Sequence, residues 1–93
     1  MPKVEVDDAR LAAALRALGH PVRLELMRML AETGDAQCLD LTRHIALSQS
    51  TVSEHLRVLK EAGLIEQCGP GHRSGYCLNP QKMKWLKKMV TSL

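Results

Sequence analysis

The residues able to do chemistry fall into two sets in this 93-residue chain. The first is Ser48, Gln49, Ser50, Ser53, Glu54 and Arg57. Read at about 100° per residue, Ser50, Ser53, Glu54, Arg57 and Glu61 lie along one side of a helix. Val52, Leu56 and Leu59 lie along the other, with Ala62 at the margin. Short hydroxyls, an amide and a guanidinium that begin at a helix N-terminus suit the major groove of duplex DNA. There serine and glutamine bond base edges and phosphates, and arginine takes guanine or a phosphate. Any soluble amphipathic helix also has a polar side, so the neighbouring elements must decide between a reading surface and a solvated one. The second set is Cys38, Cys68 and Cys77 with His20, His44, His55 and His72. An odd number of cysteines argues against a structural disulfide framework and leaves thiol or soft-metal chemistry open. The histidines are scattered over separate elements. Asp40 and His44 share a helix side, but two ligands without a third more often make a solvated pair than a metal site. No acid–base pair, phosphate-binding glycine loop or nucleophile–base constellation is spaced for catalysis, which points away from an enzyme.

The elements that must hold these residues can be read in order. Asp7 or Asp8 can cap a first helix that ends near Leu18 and buries Leu11, Ala14, Leu15 and Leu18. Pro21 suits the first turn of a second helix running to about Glu32, where its missing N–H costs nothing; this helix buries Val22, Leu26, Met29 and Leu30. After a turn at Thr33-Gly34-Asp35 a short third helix over about 39–46 buries Leu41 and Ile45, with room for a one- or two-residue strand at Gln37-Cys38. Ser48 is a good N-cap for the fourth helix and Gly63 a good stop. The pattern then changes to strand over 64–68, turn at Gly69-Pro70-Gly71-His72, and returning strand over 75–78. Asn79-Pro80 interrupts the chain before a last helix over 81–92 with Met83, Leu86, Met89 and Val90 as its stripe.

The order α-α-α-α-β-β-α is mainly α with a small β-hairpin in a single domain over 1–93. Two helices joined by a tight turn, with a hairpin directly after, make a winged helix-turn-helix. His72 and Arg73 at the glycine-rich wing tip suit an approach to the DNA backbone or minor groove. The first and last helices, about 7–18 and 81–92, carry apolar stripes that the middle elements do not need. Either they pack against a second copy, giving a C2 dimer that reads an inverted repeat, or they fold back on their own domain.

Composition sets the outer limits. Apolar residues are 45% of the chain, enough for a folded core. The net charge of +3 permits a nucleic-acid partner without demanding one. One Trp, one Tyr and no Phe argue against single-strand binding by base stacking, leaving duplex DNA. The N-terminus does not read as a signal peptide, and no apolar run approaches the roughly 20 residues of a membrane span. A cytoplasmic chain without a membrane partner is expected, with no cofactor required for the fold.

The chain resembles the ArsR/SmtB family of small regulators from about Leu15 to Leu78. Leu18-Gly19-His20-Pro21-Val22-Arg23-Leu24 resembles the family's entry into its second helix. Asp40-Leu41 followed by Ala46-Leu47-Ser48-Gln49-Ser50-Thr51-Val52-Ser53-Glu54-His55-Leu56 resembles its helix-turn-helix, and Leu59-Lys60-Glu61-Ala62-Gly63-Leu64-Ile65 its approach to the wing. The resemblance implies a nucleoid-associated, bacterial or archaeal homodimeric repressor. Such a protein binds an inverted-repeat operator and is released by a metal, metalloid or thiol-reactive inducer. It puts Ser48, Gln49, Ser50, Ser53 and Glu54 at base- and phosphate-contacting positions, with Arg57 adding a cation. His55 lies nearer the buried edge, where packing is favoured over contact. Glu54 either accepts from cytosine N4 or lowers nonspecific affinity.

The sensor departs from the family's patterns. Many relatives bind arsenic or cadmium through a Cys-x-Cys pair just before the Asp-Leu of the third helix; here Gln37 and Leu39 stand in those places and Cys38 falls between them. Its spacing to Leu41 and Ile45 favours the core over sensing. The Asp and His ligands that others carry on the last helix are absent here. Family spacing would centre the wing turn near Pro70-Gly71 and separate Cys68 from Cys77 by four residues along the strands, near 13 Å at about 3.3 Å per residue. A wider loop from Gly69 to Gly75 would bring the two thiols nearly opposite each other, where they could pair as a disulfide or share a metal. Trivalent arsenic, a dithiol switch and a dimer-spanning site using Cys38 stay open beside these. Two further readings stand beside the inducible repressor: a winged-helix protein-interaction module, and an ArsR-type regulator without small-molecule sensing.

Overall fold

The computed structural model describes residues 5–68 and 75–93; the turn expected at residues 69–72, with His72 and Arg73, lies outside them. The elements run α1 (Val6–Leu18), α2 (Pro21–Thr33), β1 (Ala36–Gln37), α3 (Cys38–Arg43), α4 (Gln49–Glu61), β2 (Ile65–Gln67), β3 (Gly75–Leu78) and α5 (Pro80–Thr91).

Local chemistry explains most of these boundaries. His20 is the N-cap of α2, its Nδ1 accepting from the Val22 N–H at 3.1 Å, and Pro21 supplies the preset φ of the first turn. Ser48 caps α4 by accepting from the Thr51 N–H at 3.2 Å, and Asn79 caps α5 by accepting from the Lys82 N–H at 3.2 Å. The end of α4 is a Schellman turn. Gly63 takes φ +79°, the Leu64 N–H reaches back to the Leu59 carbonyl at 3.1 Å, and both leucines are fully buried.

Three expectations need correcting at the boundaries. Neither Asp7 nor Asp8 caps α1; the N-cap position is Glu5, without a side-chain bond, and both aspartates sit in the first turn, where they favour the positive end of the helix dipole. The short strand lies at Ala36–Gln37 rather than Gln37-Cys38, because Cys38 already opens α3. That helix stops at Arg43 instead of near Ala46; the chain tightens into three-residue turns, His44 N–H to Leu41 O and Ile45 N–H to Thr42 O, both 3.2 Å. Ile45 still packs on the core.

The hairpin is part of a three-stranded antiparallel sheet in the order β1-β3-β2. Ala36 faces Tyr76 and Gln37 faces Gly75 on one side of β3, while Ile65, Glu66 and Gln67 face Leu78, Cys77 and Tyr76 on the other. One core joins all the helices to this sheet: Leu11, Ala14 and Ala17 of α1, Leu26, Met27 and Leu30 of α2, Leu41 of α3, Val52, Leu56 and Leu59 of α4, Leu64 and Ile65, and Leu86 of α5. Each fully buried leucine contributes roughly 1.5–3 kcal/mol. The stripe of α1 is rotated from the expected one, with Ala17 inside and Leu15 43% exposed. Thus α1 and α5 do fold onto their own domain, yet Leu15 and Val90, at 43% and 41% exposure, are left facing outward. No helix among the described residues is long and apolar enough to cross a membrane.

Candidate nucleic-acid interface

The α4 helix divides cleanly. Val52, Leu56 and Leu59 are fully buried, so the opposite side is forced outward, and Ser48, Gln49, Ser50, Thr51, Ser53, Glu54 and Arg57 are all exposed. At its N-terminus the Ser48 hydroxyl lies 3.1 Å from the Ser50 hydroxyl and 2.9 Å from the Thr51 hydroxyl. Three hydroxyls thus cluster where the first-turn N–H groups and the positive dipole end favour an anion such as a phosphate. Thr51 was not among the expected contacts. Its signal was its position three residues after the cap, which puts its hydroxyl beside Ser48.

Farther along, Arg57 is already engaged. Its Nε donates to both Glu54 carboxylate oxygens at 3.1 Å, its Nη2 to Glu54 Oε1, and its Nη1 to Glu61 Oε1 at 2.6 Å. These bonds hold Glu54 below its usual pKa, with the Arg57 hydrogen bond the main cause, and hold Arg57 above its own through Glu54 and then Glu61. The arginine expected to face DNA is therefore clamped between two carboxylates at i,i+3 and i,i+4 spacing.

His55 is half-buried and turned away from this surface. Its ring lies 4.5 Å from that of His20, and its Nδ1 is 3.2 Å from Arg23 Nη1. The Arg23 Nε donates in turn to the Ala17 carbonyl, and its Nη2 lies 3.4 Å from the Arg16 carbonyl. Arg23 thus completes the last turn of α1, whose carbonyls attract a cation, and anchors α4 through His55. This gives a physical reason for the Pro21-x-Arg23 pattern: Arg23, in the first turn of α2, ties the end of α1 to His55 of α4. Burial, then the neighbouring charges of His20 and Arg23, pushes the His55 pKa down.

The three thiols are free. Cys38 opens α3, packs against the core, and lies 4.0 Å from the Thr42 hydroxyl. Cys68 and Cys77 follow neither expected register. The Cys68 N–H donates to the Gly75 carbonyl at 3.1 Å and Cys77 faces Glu66, so the thiols are diagonal neighbours, two residues out of step. The Cys77 thiol is pushed up to about 12 by burial first, then by hydrogen bonding to and charge from Cys68, with Glu66 and Asp35 adding to it. Among the described residues no three His, Cys, Asp or Glu side chains are placed to hold a metal. Asp40 instead pairs with Arg43 at 3.7 Å, and His44 is exposed.

A tri-helical body, two helices joined by a tight turn, and a sheet whose hairpin follows the second of them define a winged helix-turn-helix protein. Residues 20–67 match the family described as bacterial regulatory protein, arsR family, and the chain belongs to that family. An HTH-type transcriptional regulator of Methanocaldococcus jannaschii is 30% identical over 90% of this chain and 94% of its own length. The arsenical resistance operon repressor of Bacillus subtilis is 37% identical over 76% of this chain and 68% of its own. A crystal structure of a possible transcriptional regulator for arsenical resistance superimposes with a TM-score of 0.75 at 34% identity, covering 86% and 82% of the two chains. The chain is a DNA-binding transcriptional regulator, not an enzyme.

Proposed function

We propose that this protein is a dimeric repressor that binds an inverted-repeat operator as a single domain over 1–93, in the cytoplasm of a bacterial or archaeal cell. Its α4 helix enters the major groove, with Ser48, Gln49, Ser50, Thr51 and Ser53 meeting phosphates and base edges near the helix N-terminus. Glu54 and Arg57 lie one turn farther in. His72 and Arg73 of the wing approach the backbone or minor groove beside it. The single observation that carries the reading is the outward side of α4: every polar residue on it is exposed while its other side is locked into the core. A protein-docking helix would more often show large apolar or aromatic anchors there.

Residues 7–18 and 81–92 supply the dimer contact, with Leu15 and Val90 as the apolar residues their own domain leaves uncovered. An inducer that is a metal, metalloid or thiol-reactive species releases the operator. Mobility shift on the DNA upstream of the protein's own gene tests the reading. One retarded species at protein-dimer stoichiometry, competed by the same duplex and not by a shuffled one, is expected. Equal competition by both would reject operator recognition.

A further inference from the structure

Three half-buried side chains meet where α1, α2 and α4 converge: His20 at the cap of α2, Arg23 in its first turn, and His55 in the middle of α4. Their hydrogen bonds fix which ring nitrogens must be bare. His20 Nδ1 accepts from the Val22 N–H, so the proton of the neutral ring sits on Nε2. The Arg23 guanidinium has donors only, so His55 Nδ1, 3.2 Å from its Nη1, is an acceptor as well. The same guanidinium donates to the Ala17 and Arg16 carbonyls at the end of α1. Among the described residues its partners are thus two carbonyls and a neutral imidazole, with no carboxylate bonded to it.

We propose that His20 and His55 are positioning residues for α4, seating it for DNA only while both rings are neutral, so that protonation of this joint releases the operator. Each ring uses the lone pair of its Nδ1, and a proton on that nitrogen removes it. Protonated His20 no longer accepts the Val22 N–H, which leaves a first-turn donor of α2 unpaired. Protonated His55 sets a cation against the Arg23 guanidinium where a hydrogen bond stood. The ring centroids are 4.5 Å apart, so charge on one imidazole opposes charge on the other. Glu54, beside His55 on α4, favours the proton, but Arg57 already holds that carboxylate, and Glu61 as well. On the other elements packed against α4, Arg16 of α1 and Glu66 of β2 are exposed, Glu25 of α2 pairs with Arg28, and Asp40 of α3 pairs with Arg43 beside an exposed His44. Burial, then His20 and Arg23, accordingly keeps the His55 pKa below its ordinary value.

The joint is placed to act on DNA binding without touching DNA. His55 lies on the helix that exposes Ser50, Ser53 and Glu54, and Arg23 ties it to the end of α1. The expected sign opposes that of overall charge. Acidification adds positive charge, which draws any duplex closer, whereas opening the joint weakens the contacts that need α4 seated. With the folded His55 pKa below the ordinary 6.5, the joint is closed above pH 6.5 and opens as pH falls through the folded value. The consequence for the operator rests on the repressor reading; protonation of the joint does not.

Fluorescence anisotropy of the full chain on operator and random duplex at pH 7.5 and 5.5 tests the proposal, with circular dichroism at both. Wild type should bind operator about tenfold more weakly at pH 5.5, with random duplex bound as well or better and helix content kept. His20→Asn and His55→Asn carry an amide oxygen that accepts where Nδ1 does but takes no proton. Each should lose part of that fall, and the double variant all of it. Operator affinity that holds or rises on acidification, an equal fall in the double variant, or helix lost along with binding would overturn the joint. In wild type the NMR signals of the Val22 amide and the Arg23 Nε–H should both shift between the two pH values; signals that stay in place overturn it even where a variant fails to fold. No preference for operator over random duplex at pH 7.5 rejects the repressor reading instead, and the NMR titration then decides the joint.

Discussion

Glu54→Gln is the most informative perturbation of the DNA-facing surface. In the free protein the Arg57 guanidinium is shared between Glu54 and Glu61, so the middle of that surface carries a cation already neutralised by carboxylates. The amide keeps the shape and the capacity to accept a hydrogen bond while removing one negative charge, raising the formal net charge from +3 to about +4. A cation freed to neutralise one more phosphate releases one more counterion, steepening log K against log salt by about 0.9. Over the decade from 1 M to 0.1 M salt that slope amounts to a factor of about eight. Random-sequence duplex should therefore bind Glu54→Gln up to about eightfold more tightly at 0.1 M than it binds wild type. Affinity for the operator should rise less, so the ratio of specific to nonspecific binding falls. Fluorescence anisotropy on both duplexes across a salt series reads both numbers. An unchanged slope on random DNA would refute the argument that Glu54 holds the Arg57 charge back from phosphates.

Ser48→Ala should lower stability in urea by about 1 kcal/mol through loss of the cap to the Thr51 N–H; Ser48→Asp should restore it but weaken DNA binding, because a carboxylate faces phosphate. Equal effects of both variants on stability would remove the capping role. The pH dependence follows from His55, whose folded pKa lies below its ordinary value near 6.5. The unfolded chain then binds more protons between those two values, so His55 contributes fully above pH 6.5 and its contribution is lost as pH falls through the folded pKa. Urea midpoints at pH 7.5 and 5 should differ more for wild type than for His55→Gln; an identical difference would clear His55 of the effect. Val90→Asp, at an exposed α5 position, should convert dimers to folded monomers in sedimentation, and a retained dimer would move the interface elsewhere. Leu86 is unsuited to this test, since it is 5% exposed within its own core and a charge there would unfold the chain.

Much of the fold was legible because it rests on local rules. Ser48, Pro21 and Gly63 announce the helix ends through hydrogen bonds and φ values that reach only a few residues, and the Val52-Leu56-Leu59 spacing names the buried side of α4 outright. What escaped depends on distant partners. The two-residue strand β1 exists through its pairing with Gly75 and Tyr76, far along the chain, so its neighbours in sequence could not place it to the residue. Whether Leu15 or Ala17 turns inward depends on how closely α1 can approach the rest of the core, which favours the smaller side chain. The hairpin register decides how Cys68 meets Cys77, and neither turn length considered from the sequence gave the diagonal arrangement. The clamp on Arg57 could have been read from the i,i+3 and i,i+4 spacing of Glu54 and Glu61. The His20–Arg23–His55 anchor could not, because it joins residues 32 positions apart.

The central claim is that the exposed side of α4 reads duplex DNA. It is tested most directly by operator affinity measured from 50 to about 300 mM salt for wild type and for Ser50→Ala/Ser53→Ala. Wild type should show log affinity falling linearly with log salt, at a slope set by several phosphate contacts. The double variant should bind the operator at least about tenfold more weakly and random duplex much less changed. A flat salt response, or a double variant that binds operator as wild type does, would contradict the account.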